Sequence, residues 1–214
     1  MPHVRPLQLI VEGHDDLFAI VGLVRAHISW PTDKNDAPVW IEVGRSAQEI
    51  LRHGYLSSIL KTHGVRAVGV MLDADENPKG RYQSIRNLCS PLFPQMPDEL
   101  PSEGLVVDND EQRLGVWIMP DNSSEGTLEN FLRFLVPDDS EPVWVYAIEC
   151  VQKARAMGSG CRDAHLPKAN LYTWLAWQDP PGQNPGHALT GRVLNTHSPH
   201  AAAFLNWFRT LYGL

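Results

Sequence analysis

In the first part of the chain, short continuous apolar runs alternate with longer segments whose apolar residues have the spacing of a helix. Residues 7–12, 39–43 and 67–72 are short apolar runs ended by turn signals, which predicts buried parallel strands. Residues 15–27 and 46–64 carry apolar positions at helical spacing, so each segment predicts a helix between two strands. Three strands that alternate with two helices predict a mainly parallel sheet with right-handed crossovers.

The later part of the chain predicts a hairpin and then helices. Its first elements are a helix over about 79–88, an irregular connection over 91–104 and two strands over 104–107 and 114–119. The following helices are predicted over roughly 141–156, 167–177 and 199–212, with a loop over 180–185. The sequence thus predicts an α/β protein whose Rossmann-like sheet is flanked by helices. Residues 1–136 would form this domain, and residues 137–214 a helical extension packed on it.

Composition and charge narrow the class of protein. A chain of 214 residues with 43% hydrophobic and 20% charged residues can bury a sizeable core. The net charge of -7 argues against general, charge-driven binding of nucleic acid, but it permits an enzyme whose carboxylates hold cations. No apolar run approaches roughly eighteen residues, and Met1 to Pro6 lacks a signal-peptide core. With three scattered cysteines, we expect a cytoplasmic protein with reduced thiols and no membrane contact.

Acidic side chains directly follow two of the predicted strands. Glu12 and Asp16 follow the first strand, and Asp73 and Asp75 follow the third. Because ligands bind outside the carboxyl ends of parallel strands, these side chains are expected at one edge of the sheet. Carboxylates are the ligands that hard cations such as Mg²⁺ prefer. Two such cations can activate water and neutralise a phosphodiester, and Glu12 could also act as a general base.

A third acidic pair follows the predicted strand that ends at Met119. Glu125 and Glu129 are four residues apart and would share a face if both lie on the next helix. Each acidic group has a structural alternative, because carboxylates also occupy solvated turns, helix caps and helix N-termini. Their combination in one alternating α/β frame favours a metal site. The predicted ligands are Glu12, Asp16, Asp73, Asp75, Glu125 and Glu129.

The positions of Glu12, Asp73 and Asp75 resemble the Toprim domain, the catalytic fold of topoisomerases, bacterial primases and the overcoming-lysogenization-defect (OLD) nucleases. In that fold a glutamate ends the first strand and an Asp-x-Asp ends the third, and the resemblance covers residues 7–135. The Glu-Gly-x-x-Asp form, which includes Asp16, is similar to the OLD-type branch, and the C-terminal tail is similar to small standalone Toprim-like proteins. The resemblance implies Mg²⁺ or Mn²⁺ as cofactor and catalytic roles for the three acidic residues.

Lys168 resembles a lysine that OLD-type nucleases place near their metals. The resemblance implies that it stabilises the phosphate in the transition state, and an ordinary solvated lysine is the alternative. Trp174 and Trp177 are three residues apart on one helical face, which predicts that they are core residues. The alternative is that they form a platform for base stacking. The chain departs from these families because it has no Gly-x-x-x-x-Gly-Lys-Ser/Thr loop of an ATPase. It also has nothing like the tyrosine-bearing domain of topoisomerases or the accessory modules of primases.

The expected function is Mg²⁺- or Mn²⁺-dependent hydrolysis of phosphodiester bonds in DNA or RNA by a Toprim-like nuclease. One alternative is primase-like nucleotidyl transfer, which would depend on nucleoside triphosphates. Another is a non-catalytic binding or regulatory module that works with a separate protein partner, such as an ATPase, in phage defence. The sequence does not define the choice between DNA and RNA or the oligomeric state.

Overall fold

The structure, a computed structural model, describes residues 4–214, so the expectation for Met1 to His3 lies outside the described residues. Its strands are β1 (Leu7–Val11), β2 (Trp40–Val43), β3 (Ala67–Asp73), β4 (Leu105–Asp108) and β5 (Arg113–Met119). They form one sheet in the order β2-β1-β3-β5-β4. Neighbouring strands are parallel except β4, which pairs antiparallel with β5. The predicted mainly parallel α/β sheet is confirmed.

Helices flank the sheet on both sides. They are α1 (His14–Arg25), α2 (Ala47–Ile50), α3 (Tyr55–Leu60), α4 (Pro78–Cys89), α5 (Leu128–Arg133), α6 (Glu141–Ala156), α7 (Leu166–Leu175), α8 (Pro185–Thr190) and α9 (Pro199–Tyr212). Within residues 4–214, no helix is both long enough and apolar enough to cross a membrane. The elements up to β3 follow the predicted alternation of strand and helix.

The hydrophobic core lies on both faces of the sheet. On one face, Leu9 and Trp117 belong to a cluster that includes side chains of α1 and of α6 to α9. On the other face, Ile10 and Val70 belong to a cluster with side chains of α2, α3 and α4. The helices beyond residue 136 therefore share a core with the sheet, and the division into two parts at that residue stays a prediction.

The segment predicted as one helix over 46–64 is two short helices, α2 and α3. Ser46 caps α2 as predicted, because its hydroxyl accepts a hydrogen bond from the Glu49 backbone N–H. The interruption falls at Gly54, whose φ of 94° is left-handed and incompatible with a continuous right-handed helix. The single long helix was a wrong prediction.

Helix α8 follows the predicted loop over 180–185, and the sequence pattern does not indicate it. It crosses α1 at Gly22 and Gly186, where the two backbones are in direct contact. A Cβ on Gly22 would lie 2.6 Å from the Gly186 carbonyl oxygen, so no side chain fits at the crossing. This contact fixes which face of α1 is buried against α8. It matters for the site because the first turn of α1 carries acidic residues that line the cavity described below.

Candidate functional site

Glu12 lies at the carboxyl edge of the sheet, where it connects three elements. It directly follows β1, and its Oε1 accepts a 2.8 Å hydrogen bond from the backbone N–H of Asp73, at the end of β3. Its Oε2 accepts a 3.0 Å hydrogen bond from the backbone N–H of Ala47, at the start of α2. Glu12 therefore holds the ends of two neighbouring strands together, and its carboxylate is fixed at the predicted edge.

Asp16 and Asp73 are fixed in the same way, each by one backbone N–H. Asp16 is not the N-cap of α1: the cap is Gly13, whose N–H donates to Asp16 Oδ2 at 2.8 Å. Asp73 Oδ1 accepts a 2.8 Å hydrogen bond from the N–H of Leu128, the first residue of α5. In the described part of the chain, the other oxygen of each carboxylate accepts no hydrogen bond from another residue.

These carboxylates line a cavity of about 350 Å³ together with Lys168. Lys168 Nζ lies 2.6 Å from Asp15 Oδ2 and 3.9 Å from Glu129 Oε1. The hydrogen bond that Lys168 donates to Asp15 is the main cause that raises the pKa of Lys168, so its ammonium group is charged at neutral pH. The remaining lining residues are Glu12, Gly13, His14, Asp16, Arg45, Asp73 and Leu128. Five predicted site residues thus meet in one polar cavity: Glu12, Asp16, Asp73, Glu129 and Lys168.

Burial raises the pKa of three carboxyl groups in this cavity. Loss of hydration is the largest cause for Glu12, Asp16 and Asp73, and the pKa of Asp16 rises from 3.8 to about 7. The charges of Glu12 and Glu129 raise the pKa of Asp16 further. The charge of Asp16, followed by those of the two glutamates, raises the pKa of Asp73 well above its usual value. The cavity therefore concentrates negative charges that water hydrates poorly, and a bound cation would stabilise them.

Asp75 and Glu125 do not line this cavity. They line an adjoining groove of about 910 Å³. Asp75 has a left-handed φ of 51°, and its Oδ2 accepts a 2.5 Å hydrogen bond from Arg81 Nη2. Arg81 Nε also donates to the Asp73 carbonyl oxygen at 2.8 Å. Glu125 precedes Thr127, the N-cap of α5, so it does not share a helical face with Glu129. Of the six predicted ligands, four thus line the cavity and two line the groove beside it.

The donor set fits a hard divalent cation by its chemistry. No group of three His, Cys, Asp or Glu side chains in residues 4–214 is arranged to hold a metal ion as it stands. The cavity nevertheless offers several carboxylate oxygens of the kind that Mg²⁺ and Mn²⁺ take. Asp16 Oδ1 and Asp73 Oδ2 are open to such an ion, and each Glu12 oxygen keeps a second lone pair.

Sequence reasoning missed the two arginines of the site. Arg45 has a left-handed φ of 75° and lines the cavity two residues beyond the end of β2. Its place after a strand of the same sheet is a signal that could have found it. Arg81 lies on α4, and only its folded contacts with the Asp-x-Asp segment identify it. Trp174 is fully buried, which excludes it as a stacking platform, whereas Trp177 is 45% exposed.

The fold and the site define an α/β protein with a cavity of carboxylates at the carboxyl edge of its parallel strands. Over residues 6–213 the chain matches the family described as "Protein of unknown function (DUF3226)", and it belongs to that family. No curated protein and no solved structure compared with the chain matches it.

Proposed function

We propose that this protein is a Mg²⁺- or Mn²⁺-dependent nuclease of the Toprim/OLD type that hydrolyses phosphodiester bonds in DNA or RNA. The observation that carries the proposal is the shared cavity of Glu12, Asp16, Asp73 and Glu129, with Lys168 at its side. The charges of Glu12 and Glu129 raise the pKa of both Asp16 and Asp73, and carboxylates crowded in this way oppose folding. Such arrangements are typical of functional sites.

In this proposal Glu12, Asp16, Asp73 and Glu129 hold the metal. A bound divalent cation supplies a nucleophilic water and neutralises the charge of the phosphate. Glu12 orients the site because its two backbone hydrogen bonds fix the ends of β1 and β3. Asp75 and Glu125 have supporting roles from the adjoining groove, where Arg81 binds Asp75.

Lys168 contributes a positive charge beside the carboxylates. Its side chain is 52% exposed and its ammonium group is bound to Asp15, so it can reach a phosphate that enters the cavity from solvent. A cation fixed at this place would stabilise the additional negative charge that develops on phosphate in the transition state. The proposal keeps the expected cytoplasmic location, in keeping with Cys89, Cys150 and Cys161 as free thiols.

The test is a cleavage assay on plasmid DNA, single-stranded DNA and RNA, with Mg²⁺, with Mn²⁺ or with a chelator. The proposal predicts cleavage with either metal and none with the chelator. Turnover that requires nucleoside triphosphates would instead indicate nucleotidyl transfer. Activity that requires an added ATPase would indicate a module that works with a partner, and cleavage that persists in chelator would contradict the metal assignment.

Replacing Lys168 with glutamine is expected to lower metal-dependent cleavage by about 10- to 100-fold. The change removes the positive charge but leaves the carboxylates in place, so the affinity for Mg²⁺ should not fall. Initial rates and calorimetric metal titrations of the same preparation measure both quantities. Lys153→Gln is the matched control, because Lys153 is an exposed lysine on α6 that lines neither the cavity nor the groove. Equal rates for wild type and Lys168→Gln would contradict a catalytic role.

A further inference from the structure

A separate pocket, apart from the cavity and the groove, lies between α1, β2 and the loop that connects them. Its volume is about 350 Å³, which is within the range of about 300–1,000 Å³ that is usual for ligand sites. Phe18 of α1, Trp30 of the loop and Trp40 of β2 line it, together with the basic residues Arg25 and Lys34. Among the described residues that line this pocket, none is acidic.

Of the aromatic residues in this pocket, Phe18 and Trp40 lie outside the core, whereas Trp30 also packs against it. Phe18 is 47% exposed although it lies in the middle of α1 and its neighbours Ala19 and Ile20 are buried. Trp30 and Trp40 are half-buried. Flat aromatic faces open to solvent can stack on nucleobases, and each stacked base contributes about 1–3 kcal/mol to binding.

Arg5, Arg25 and Lys34 lie at the same surface, although the protein as a whole carries a net charge of -7. The Glu42 carboxylate also reaches it, where it accepts a hydrogen bond from Trp40 Nε1. The Arg5 guanidinium lies 4.6 Å from the centroid of the Trp40 ring, and Lys34 Nζ lies 5.5 Å from it. Asp33, in the same loop, accepts hydrogen bonds from Asn35 and does not line the pocket. A ligand that combines a flat ring with negative charge is therefore complementary to this surface.

The aromatic pocket lies next to the acidic cavity, because α1 and the segment that begins with β2 contribute residues to both. The first turn of α1 places His14 and Asp15 in the cavity, and the next turn places Phe18 in the pocket. The rings of His14 and Phe18 are 6.4 Å apart. Trp40, the first residue of β2, lines the pocket, and Arg45, two residues beyond the end of β2, lines the cavity. A chain that places a phosphate in the cavity can therefore place an adjoining ring in the pocket.

We propose that the aromatic pocket binds an unpaired base of a single-stranded nucleic acid whose phosphate lies in the acidic cavity. The inference rests on the proposed nuclease function and adds its substrate class. A base in a duplex is paired and stacked on its neighbours, so it cannot enter the pocket without being unstacked first. Single strands, and single-stranded ends of duplexes, are thus the substrates that use both sites at once.

The test measures binding of a labelled oligonucleotide by fluorescence anisotropy, with Ca²⁺ in place of Mg²⁺. The ligands are a single strand, the same strand with one abasic site moved along it, and the matching duplex. Wild type is expected to bind the single strand more tightly than the duplex. An abasic site at one position should weaken binding by about 5-fold or more, as the loss of one stacked base does.

Phe18→Ser is the decisive variant, because an exposed side chain can be replaced without disturbing the core. It should lower affinity for the intact strand as much as the abasic site does, and the two changes together should add little further loss. Val145→Ser is the matched control, since Val145 is a 44% exposed apolar residue on α6, outside the pocket. Melting temperatures of both variants confirm that they are folded.

The outcomes separate this proposal from the nuclease proposal. If neither the abasic site nor Phe18→Ser changes binding while the strand is still cleaved with Mg²⁺, the pocket proposal is overturned and the nuclease proposal stands. Equal affinity for single strand and duplex also overturns the pocket proposal. If no nucleic acid is bound or cleaved, both proposals fail. If Phe18→Ser and the abasic site weaken binding additively, Phe18 does not contact the missing base. That result overturns the pocket as the base-binding site.

Discussion

Replacing Asp73 with asparagine is expected to lower metal-dependent cleavage by about 100-fold or more. Asp73 ends β3, where one carboxylate oxygen accepts the Leu128 N–H and the other is open to a cation. Asparagine has the same size and keeps an oxygen acceptor for Leu128, but it is neutral and a weak ligand for a hard cation. The expected loss therefore comes from the missing charge and not from an altered fold. Initial cleavage rates over a series of Mg²⁺ and Mn²⁺ concentrations measure it.

The same variant is expected to be more stable than wild type when no metal is present. Asp73 is repelled by Asp16 and Glu12, so its neutralisation removes an unfavourable interaction in the folded state. Melting temperatures at pH 8 in chelator test this. Asp110→Asn is the control for both measurements, because Asp110 is exposed in the β4–β5 turn, at the opposite end of the sheet. Wild-type cleavage by Asp73→Asn would contradict the assignment.

The free energy of unfolding of the metal-free protein is expected to fall between pH 5 and pH 8, with Asp16 as one of the buried carboxyl groups responsible. Its pKa is about 7 in the folded state and near 3.8 in the unfolded chain. The folded state therefore binds more protons between these values, so stability is greatest at low pH and falls as Asp16 ionises. Over this interval the loss is on the order of 3 kcal/mol.

Urea unfolding of wild type and Asp16→Asn in chelator measures this pH dependence. Asparagine keeps an oxygen acceptor for the Gly13 N–H but has no charge to develop, so the variant should show a flatter profile above pH 5, with the remaining slope due to Asp73 and Glu12. Adding Mg²⁺ should stabilise wild type at pH 8 and reduce the difference between the two proteins. Asp110→Asn should retain the wild-type profile. Parallel profiles for wild type and Asp16→Asn would show that ionisation of Asp16 does not destabilise the folded protein.

The parallel strands and their acidic ends could be predicted because the signals are local. The apolar run before Glu12 and the one before Asp73 are each ended by polar residues, and the carboxyl ends of parallel strands meet at one edge. The break between α2 and α3 was missed because a glycine within a helical pattern, such as Gly54, fits either a continuous helix or a left-handed break. Helix α8 has six residues, too few for a helical period to be recognised.

The site itself was only partly predictable, since some of its contacts join distant segments. Asp75 is two residues from Asp73, yet its left-handed backbone and its bond to Arg81 direct it into the adjoining groove. Neither cause follows from the Asp-x-Asp spacing. Lys168 reaches the cavity because α7 packs beside α5 and places it at Asp15, 153 residues earlier in the chain. Only the family resemblance indicated that lysine.

The most direct test of the central claim is a calorimetric titration of Mg²⁺ and Mn²⁺ into wild type and Asp73→Asn. The shared cavity of carboxylates predicts saturable binding by wild type and binding at least about 10-fold weaker by the variant. Equal binding by the two proteins would place the metal elsewhere. No binding by wild type would mean that these carboxylates do not form a metal site, and the proposed nuclease mechanism would be contradicted.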